Sequence, residues 1–387
     1  MHSSTVKLHV QAVSPGMFQG RAGIAQRLLQ PYRLSVYDII ANQCTGGLSV
    51  FASRFDHTNQ IVTNRDPELA QLAPAKNRHF FRGRFDLCWQ SGLLDWLRTW
   101  RPDVVIVEAN PRNLSTGPMV RWLHKHGCRV IGHGLGVMPL SSGFERLRDI
   151  GRRYLIGMLD GVLAYSSVAA QQYEALGMPR KRIFVAYNAV SPKPKHPLID
   201  RPMAFTRRPI LLFVGTLIPR KSVDLLLQAC AKVPFAIRPT LQIVGDGPLR
   251  PNLEQLATDL GLECLFLGDL RGPELDKIFE GADIFVLPGT GGLAIQEAMA
   301  HGLPVIVSKA DGTESDLVRE TNGWLITPND TDVLAQAITQ ALSDPVRLRT
   351  MGADSYRIVS TEINIDNMAA TFVHGMRTIA AMPPRTC

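Results

Sequence analysis

The sequence predicts two doubly wound α/β domains, each a parallel sheet covered by helices on both faces, and three observations lead there. Short apolar runs recur, among them Val104–Glu108 (VVIVE), Ile210–Val214, Leu241–Val244, Ile284–Leu287 and Val305–Ser308, with the residue types of strands buried on both sides. Helical stretches separate them at the spacing of βαβ units, which argues for parallel pairing. Between residues 191 and 208 the chain reads SPKPKHPLIDRPMAFTRR, proline-rich, basic and without periodicity, which makes this stretch an interdomain linker. One domain is therefore expected in 1–190 and a second in 209–360, with a C-terminal helix in 361–387.

Length and composition agree with two domains. The 387 residues are 45% hydrophobic and 20% charged, enough for two sizeable cores. No run approaches the roughly 18 to 20 apolar residues of a membrane-spanning helix, and the start MHSSTVKLHVQ has no apolar signal core, so a cytoplasmic protein is expected. The cysteines, Cys44, Cys88, Cys128, Cys230, Cys264 and Cys387, show no CxxC or other ligand spacing, and several fall in apolar runs. They read as reduced core thiols rather than a disulfide frame or a zinc site. A formal charge of +8 and a pI near 9.3 suit an anionic partner, whether a nucleotide, an acidic lipid surface or a nucleic acid, and charge alone does not choose among them.

Two stretches, Val6–Val13 and Ala25–Leu29, offer themselves as the opening strand. The second gives a compact βαβ start, with Gln30-Pro31-Tyr32-Arg33 as the first strand-to-helix loop, Leu34–Asn42 as the helix and Leu48–Ala52 as the next strand. Residues 1–20 are then a tail or an added edge strand, and Gly16, Gly20 and Gly23 lack the GxGxxG spacing of a dinucleotide fingerprint. Lys76–Phe85 (KNRHFFRGRF) interleaves basic and aromatic residues and reads as a solvated crossover loop, with contact to an anionic surface or a sugar as the alternative. A helix around Leu93–Trp100, the strand Val104–Glu108, a helix near Met119–His126 and the strand Arg129–Gly132 follow.

Ligands collect at the carboxyl ends of such strands, which marks the loops Ala109-Asn110-Pro111-Arg112 and His133-Gly134-Leu135-Gly136. His133 directly follows a buried strand beside glycine, so its imidazole is expected to project into a cleft rather than pack in a core; the alternative is a structural donor to a neighbouring carbonyl. His124 and His126, at a helix C-terminus, read as cations that complement the dipole. Gly143–Asp160 carries Arg146, Arg148, Arg152 and Arg153 among Phe144, Leu147, Ile150, Leu155 and Ile156, a basic amphipathic helix that either lies on an acidic membrane or covers the sheet. Val162–Ser166, Val168–Leu176 and Ile183–Tyr187, with Asn188-Ala189-Val190, close the domain as strand, helix and strand.

The second domain restarts with Ile210–Val214, the loop Gly215-Thr216-Leu217-Ile218-Pro219-Arg220-Lys221 and a helix from Ser222 to Lys232. A lysine and an arginine at a strand-to-helix junction supply charge for a diphosphate. The strand Leu241–Val244 ends in Gly245-Asp246-Gly247-Pro248, and Cys264–Leu267 ends in Gly268-Asp269-Leu270-Arg271. After Ile284–Leu287, Pro288-Gly289-Thr290-Gly291-Gly292 forces a tight turn into a helix that starts at Leu293 and stops at Gly302-Leu303-Pro304. Glycines before a helix let a ligand reach its unpaired N–H groups and positive dipole end, a site for phosphate. Glu297, one turn in, stands where it accepts hydrogen bonds from hydroxyls of that ligand; the competing reading is that the glycines permit close packing and Glu297 is solvated. Asp330-Thr331-Asp332 follows a polar turn and starts a helix, so it reads as a cap, and no metal site is expected. Helices near Thr331–Ser343 and Ile365–Met382 finish the chain.

Four segments in this order and spacing, VGTLIPRKSVDLLLQA, VGDGPL, ADIFVLPG and GGLAIQEAMAHGLPVIVS, resemble the family-4 glycosyltransferases of the GT-B fold. The resemblance covers about Ile210 to Asp330 well, and the first domain in outline through GHGLG, DGVLAYS and YNAV. It implies two Rossmann-like domains facing a cleft, the C-terminal helix packing back toward the first, and a nucleotide sugar bound mainly by the second. Lys221 then matches the lysine on the donor diphosphate, Glu297 the glutamate on the ribose hydroxyls, Gly291, Gly292 and Leu293 the backbone at phosphate and sugar, and His133 the first-domain histidine that reaches the donor sugar. Thr216, Arg220, Gly245, Asp246, Leu270, Gly289 and Thr290 complete the expected donor side, and Arg33, Asn110, Arg112 and His133 the acceptor side.

Two departures from the family pattern stand out. The usual first glutamate, seven intervening residues before Glu297, is Gly289, and the arginine usual after the first-loop glycine is Thr216, leaving Arg220 to supply the charge. The glycine is expected to leave room beside the transferred sugar. The implied activity is metal-independent, retaining transfer to a glycan, lipid-linked or other acceptor in cell-surface polysaccharide or glycoconjugate synthesis, with no cofactor, no nucleic acid, and peripheral contact with acidic membrane through 143–160. A sugar-nucleotide epimerase would act with no acceptor present. A non-catalytic binding protein would hold the nucleotide and never release it from a sugar donor.

Overall fold

The apolar runs become parallel strands in the computed structural model, which describes residues 16–55, 62–81, 86–136, 145–194, 196–310 and 312–385. Val6–Val13, residues 82–85 of the basic and aromatic stretch, Gly143 and Phe144, and Cys387 lie outside the described residues. The chain divides into two units, Met1–Asn188 with Ile365–Cys387, and Ala189–Asn364.

In the first unit the elements are β1 (Ala22–Leu28), α1 (Leu34–Asn42), β2 (Leu48–Ser53), β3 (Gln71–Pro74), β4 (Lys76–Phe80), β5 (Leu87–Ser91), α2 (Leu93–Trp100), β6 (Val104–Glu108), α3 (Thr116–Lys125), β7 (Arg129–Gly134), α4 (Glu145–Met158), β8 (Gly161–Ala164), α5 (Ser167–Ala175) and β9 (Ile183–Val185). Seven strands form a parallel sheet in the order β3-β2-β1-β6-β7-β8-β9. β1 begins at Ala22 rather than Ala25, because Ala22, Gly23 and Ile24 are paired on both sides, with Leu48–Val50 and with Val104–Ile106. The stretch read as a crossover loop is instead strand β4, paired antiparallel with β5. Its exposure alternates with a period of two, which the density of charge in the sequence concealed.

The second unit contains β10 (Ile210–Val214), α6 (Val223–Lys232), β11 (Thr240–Val244), α7 (Arg250–Asp259), β12 (Cys264–Gly268), α8 (Pro273–Gly281), β13 (Ile284–Leu287), α9 (Leu293–Ala300), β14 (Val305–Ser308), α10 (Glu314–Leu317), β15 (Gly323–Ile326), α11 (Thr331–Ser343) and α12 (Pro345–Thr361). Its six strands are parallel in the order β12-β11-β10-β13-β14-β15. Ile284, Phe285, Val286 and Leu287 of β13 are wholly buried, each burial worth roughly 1.5–3 kcal/mol. The stretch read as a linker is held within this unit: Arg201 donates to the carbonyls of Phe279, Ala282 and His301, and Arg207 and Arg349 both pair with the buried Asp283. Asp330 caps α11 by accepting from the N–H groups of Asp332 and Val333, as its place before a helix suggests. Helix α13 (Ile365–Ala381) belongs to the first unit, where it packs on α1, β7, β8 and β9.

Cys44, Cys88, Cys128 and Cys230 are buried free thiols and Cys264 is half-buried; burial pushes the Cys44 thiol up to about 12, far from reactivity. Among the described residues no helix is long and apolar enough to cross a membrane.

Candidate functional site

Both sheets reverse their strand order once, and a parallel sheet opens a crevice at that point, outside the carboxyl ends of the two central strands. In the second unit these strands are β10 and β13. The loop after β10 therefore meets the loop after β13, residues far apart in sequence. Thr290 N–H donates to the Arg220 carbonyl at 3.0 Å, and Lys221 Nζ donates to the Thr290 carbonyl at 2.6 Å. Lys221 is half-buried, and its pKa is lowered, first by burial and then by the neighbouring Arg220 cation. Two cations thus stand side by side with no carboxylate paired to either among the described residues. Arg220 is exposed and its guanidinium has no partner there.

Helix α9 starts at this junction. Its N-cap, Gly292, has no side chain to bond the first-turn N–H groups, so they are left for solvent or an anion. Gly291 has φ 142°, a backbone that favours glycine, and a Cβ there would meet Lys221 Nζ. Glu297, one turn further in, is half-buried, and its carboxylate accepts no hydrogen bond from the described residues. Burial is the main cause of its raised pKa, with the His301 ring opposing and Asp276 adding to it.

Gly289 needs a correction. It was expected to leave room beside a sugar, but it is buried, and a Cβ there would lie 2.5 Å from Lys221 Cα. The space belongs to the Arg220–Lys221 backbone, so glycine is required here for packing of the two loops rather than for access of a ligand.

The remaining loops brace this junction. Gly215 N–H donates to the Val244 carbonyl, Leu217 N–H to that of Asp246, and Gly245 N–H to that of Gly268 at 2.7 Å. Thr216 is exposed, Leu270 is half-buried, and Asp246 is exposed with a carboxylate oxygen 3.5 Å from Arg250 Nη1. Leu293, at the first position of α9, is exposed.

In the first unit the reversal lies between β1 and β6, and its crevice is filled by the chain itself. Arg27 donates from its backbone N–H and Nε to the two carboxylate oxygens of Glu108, at 3.1 and 2.9 Å. The β4–β5 ribbon adds side-chain amides: Asn77 donates to the Arg27 carbonyl, Gln90 donates to the Gln26 carbonyl and to Asn77 Oδ1, and Asn113 donates to Gln90 Oε1. The sequence reading missed this network, since amides scattered from Gln26 to Asn113 carry no local signal.

His133 ends β7. Its ring was expected to project into an open cleft, but it is 8% exposed, with Nδ1 2.6 Å from Tyr165 Oη and the Phe372 ring tilted over it. Burial, and then the Arg33 cation, lower its pKa to about 3, so the ring is neutral at physiological pH, and Nε2 has no partner among the described residues. Arg33 is buried too: it bonds Asn188 Oδ1 and Met368 Sδ and lies over the Tyr165 ring. It orders the His133 surroundings rather than presenting itself to solvent. Asn110 Oδ1 accepts from Arg112 N–H in the loop after β6, and Arg112 is half-buried. Tyr165 and Tyr173, the latter accepting from Gly136 N–H at 3.3 Å, were not foreseen as members of this cluster. Their only signal was a tyrosine at the end of an apolar strand and another on the following helix.

Comparison with known proteins agrees with this architecture. A family model described as glycosyl transferases group 1 matches residues 198–357, and one described as a glycosyl transferase 4-like domain matches residues 49–189. The chain is 30% identical over 290 residues to a GDP-mannose-dependent alpha-mannosyltransferase of Mycolicibacterium smegmatis, covering 69% of this chain and 73% of that one. It is 29% identical over 253 residues to the GDP-mannose-dependent monoacylated alpha-(1-6)-phosphatidylinositol monomannoside mannosyltransferase of Corynebacterium glutamicum, covering 60% and 64%. Other curated relatives are spanned over 36% and 27% of their lengths. Among solved structures, Anabaena Alr3699/HepE in complex with UDP superposes with a TM-score of 0.66 at 18% identity, over 90% of this chain and 97% of that one, a likeness of fold.

Proposed function

The chain belongs to the family-4 glycosyltransferases and has their GT-B fold, two Rossmann-like units, and from that premise we propose that it transfers a sugar from a nucleoside diphosphate sugar to a lipid-linked or glycan acceptor. The observation that carries the reading is the unneutralised pair Arg220 and Lys221 beside the uncapped start of α9, at the point where strand order reverses. Departure of a nucleoside diphosphate builds negative charge on its outer phosphate. Fixed cations and helix N–H groups stabilise that charge without reorganising. Lys221 Nζ keeps two protons beyond the one given to Thr290, so it reaches a phosphate without releasing the loop. Glu297, a carboxylate on the same helix without a hydrogen-bond partner among the described residues, takes the ribose hydroxyls.

His133, buried against Tyr165 with its ring neutral, is proposed to act by holding the end of β7 in place rather than by touching the sugar. With Gly289 where the family places its first glutamate, no carboxylate nucleophile is proposed, and retention proceeds by attack on the same face as the leaving diphosphate. The two cations supply the charge that a metal would otherwise bring, which supports metal-independent chemistry. Relatives named for GDP-mannose and for a phosphatidylinositol mannoside acceptor make a GDP or UDP sugar and an amphiphilic acceptor the first to try. An acceptor of that kind suits work at the inner face of a membrane, with the exposed Arg153 of α4 near its acidic headgroups, Arg152 being paired with Asp149.

The test is a thermal-shift screen of nucleotide sugars followed by product analysis with and without acceptor. A donor that binds only the folded state raises the midpoint. Acceptor-dependent release of the nucleoside diphosphate supports transfer. Conversion of the sugar without acceptor, or binding with no release under any acceptor, defeats it.

A further inference from the structure

The β4–β5 ribbon has one face tied to the first unit and one face that makes no side-chain hydrogen bond or ion pair among the described residues. Asn77 and Gln90 point inward to the network around Arg27 and Glu108, Cys88 is buried, and His79 Nδ1 meets Asp86 Oδ1 at 2.8 Å. The pairing Arg78↔Trp89 and Phe80↔Leu87, with Lys76 two residues before Arg78, places Lys76, Arg78, Phe80 and Trp89 together on the opposite face. Neither Lys76 nor Arg78 has an ion-pair or hydrogen-bond partner among the described residues. Phe80 is 45% exposed, Trp89 40% and Phe81 73%. Phe81 is held at φ 58°, a backbone that a bulky side chain adopts only at a cost. Beside the ribbon, Cys88 pairs with Asn113, which brings Leu114, also exposed, to its edge.

We propose that this face is a docking surface for an acidic lipid bilayer. Aromatic side chains that are apolar in body settle at the headgroup level, and lysine and arginine extend their charge to lipid phosphates while burying their stems. Charge complementarity selects the occupant: the outward positions of β4 are two cations and a phenylalanine, with no carboxylate among them. Among the described residues the outward positions of β4 and β5 also carry no amide or carboxylate of the kind a sugar-binding surface needs to satisfy hydroxyls. The surface is separate from α4, and the inference goes beyond the transferase reading, because it concerns where the first unit rests and not what it transfers.

The experiment is vesicle sedimentation of the full chain with phosphatidylcholine alone and with added phosphatidylglycerol, with no donor or acceptor present, so that its outcome is independent of the transferase reading. Two ribbon variants, Lys76→Ser/Arg78→Ser and Phe80→Ser/Phe81→Ser/Trp89→Ser, are compared with wild type and with Arg152→Ser/Arg153→Ser on α4, all matched by circular dichroism. Loss of two surface cations is expected to weaken partition to acidic vesicles roughly 30-fold at low salt, and that difference is expected to vanish near 1 M salt, where the screening length is about 3 Å. The aromatic variant is expected to lose binding at both salts. Ribbon variants that bind like wild type, or wild type that binds neutral vesicles equally well, would overturn the proposal. So would capture of a single-stranded oligonucleotide in preference to the vesicles, if it is lost in the same variants.

Discussion

The two units reverse strand order in the same way and treat the resulting crevice oppositely. Between β1 and β6, Arg27 is neutralised by Glu108, and inserted side-chain amides bond the nearby backbone. Between β10 and β13, Arg220 and Lys221 have no acid partner among the described residues, and α9 begins without a side-chain cap. Topology therefore makes the crevice in both units, and on the proposed reading it is uncompensated charge that makes the second one an anion site. Reading strand order alone would have marked both.

The buried histidine at the end of β7 carries a pH liability, and this is the largest expected effect. His133, beside Glu108 in the β6–β7 register, is buried neutral, with its pKa lowered to about 3 from an ordinary 6.5. A lowered histidine pKa means that the unfolded chain takes the proton first, so stability is full above 6.5 and is lost as pH falls toward about 3. The loss is on the order of a few kcal/mol. Chemical denaturation of wild type and His133→Phe across that range checks it: the variant is expected to show a shallower acid decline. Parallel curves would mean that His133 titrates normally and is not sealed.

Next is Gly289→Glu, which pushes a side chain into the Arg220–Lys221 backbone. Overpacking of this kind costs about 1–3 kcal/mol. The midpoint of unfolding is expected to drop, and nucleoside diphosphate binding to weaken with it, because the turn that carries both cations must move. An unchanged midpoint would show that the two loops are not in contact as described.

Glu297→Gln separates stability from binding. A raised carboxylate pKa contributes stability that is full below the ordinary 4.5 and is lost as pH rises through the higher folded value. The charged form is thus a burden at neutral pH, and the glutamine variant is expected to be slightly more stable there. It is also expected to bind ribose-containing ligands more weakly by about 1 kcal/mol while leaving inorganic pyrophosphate unaffected. Calorimetry with the two ligands checks both halves.

The smallest effect belongs to the first crevice. Arg27 and Glu108 form a partly exposed pair with side-chain exposures of 30% and 21%. A double-mutant cycle with alanine is expected to give a coupling of about 0.2–1 kcal/mol, with diphosphate affinity unchanged. A gain in anion binding on removing Glu108 alone would sharpen the contrast, since it would expose Arg27 as Arg220 is exposed.

The second unit was the more legible in the sequence, and the reason is physical. Its inner strands β10, β11, β13 and β14 are mostly buried and read as continuous apolar runs, and the loops after them are short and glycine-marked, so Lys221 and the start of α9 fall where the spacing puts them. The direction of Gly289 was not legible, because it depends on Arg220 and Lys221, brought close only by the pairing of β10 with β13. The same holds for His133, whose burial is set by Tyr165 and by Phe372 from the far end of the chain. The β4–β5 ribbon was concealed by composition, since a strand with one charged face has no apolar run to announce it.

The most direct test of the charge asymmetry is calorimetric binding of a nucleoside diphosphate and of its parent nucleoside to wild type and Lys221→Ala, using whichever base the screen selects. Lys221 is assigned to phosphate and not to base or ribose. The expected result is a loss of about 1.5–3 kcal/mol for the diphosphate, with the nucleoside bound as before. Equal losses for both ligands, or none for either, would contradict the assignment of the β10–β13 crevice as the site of the diphosphate.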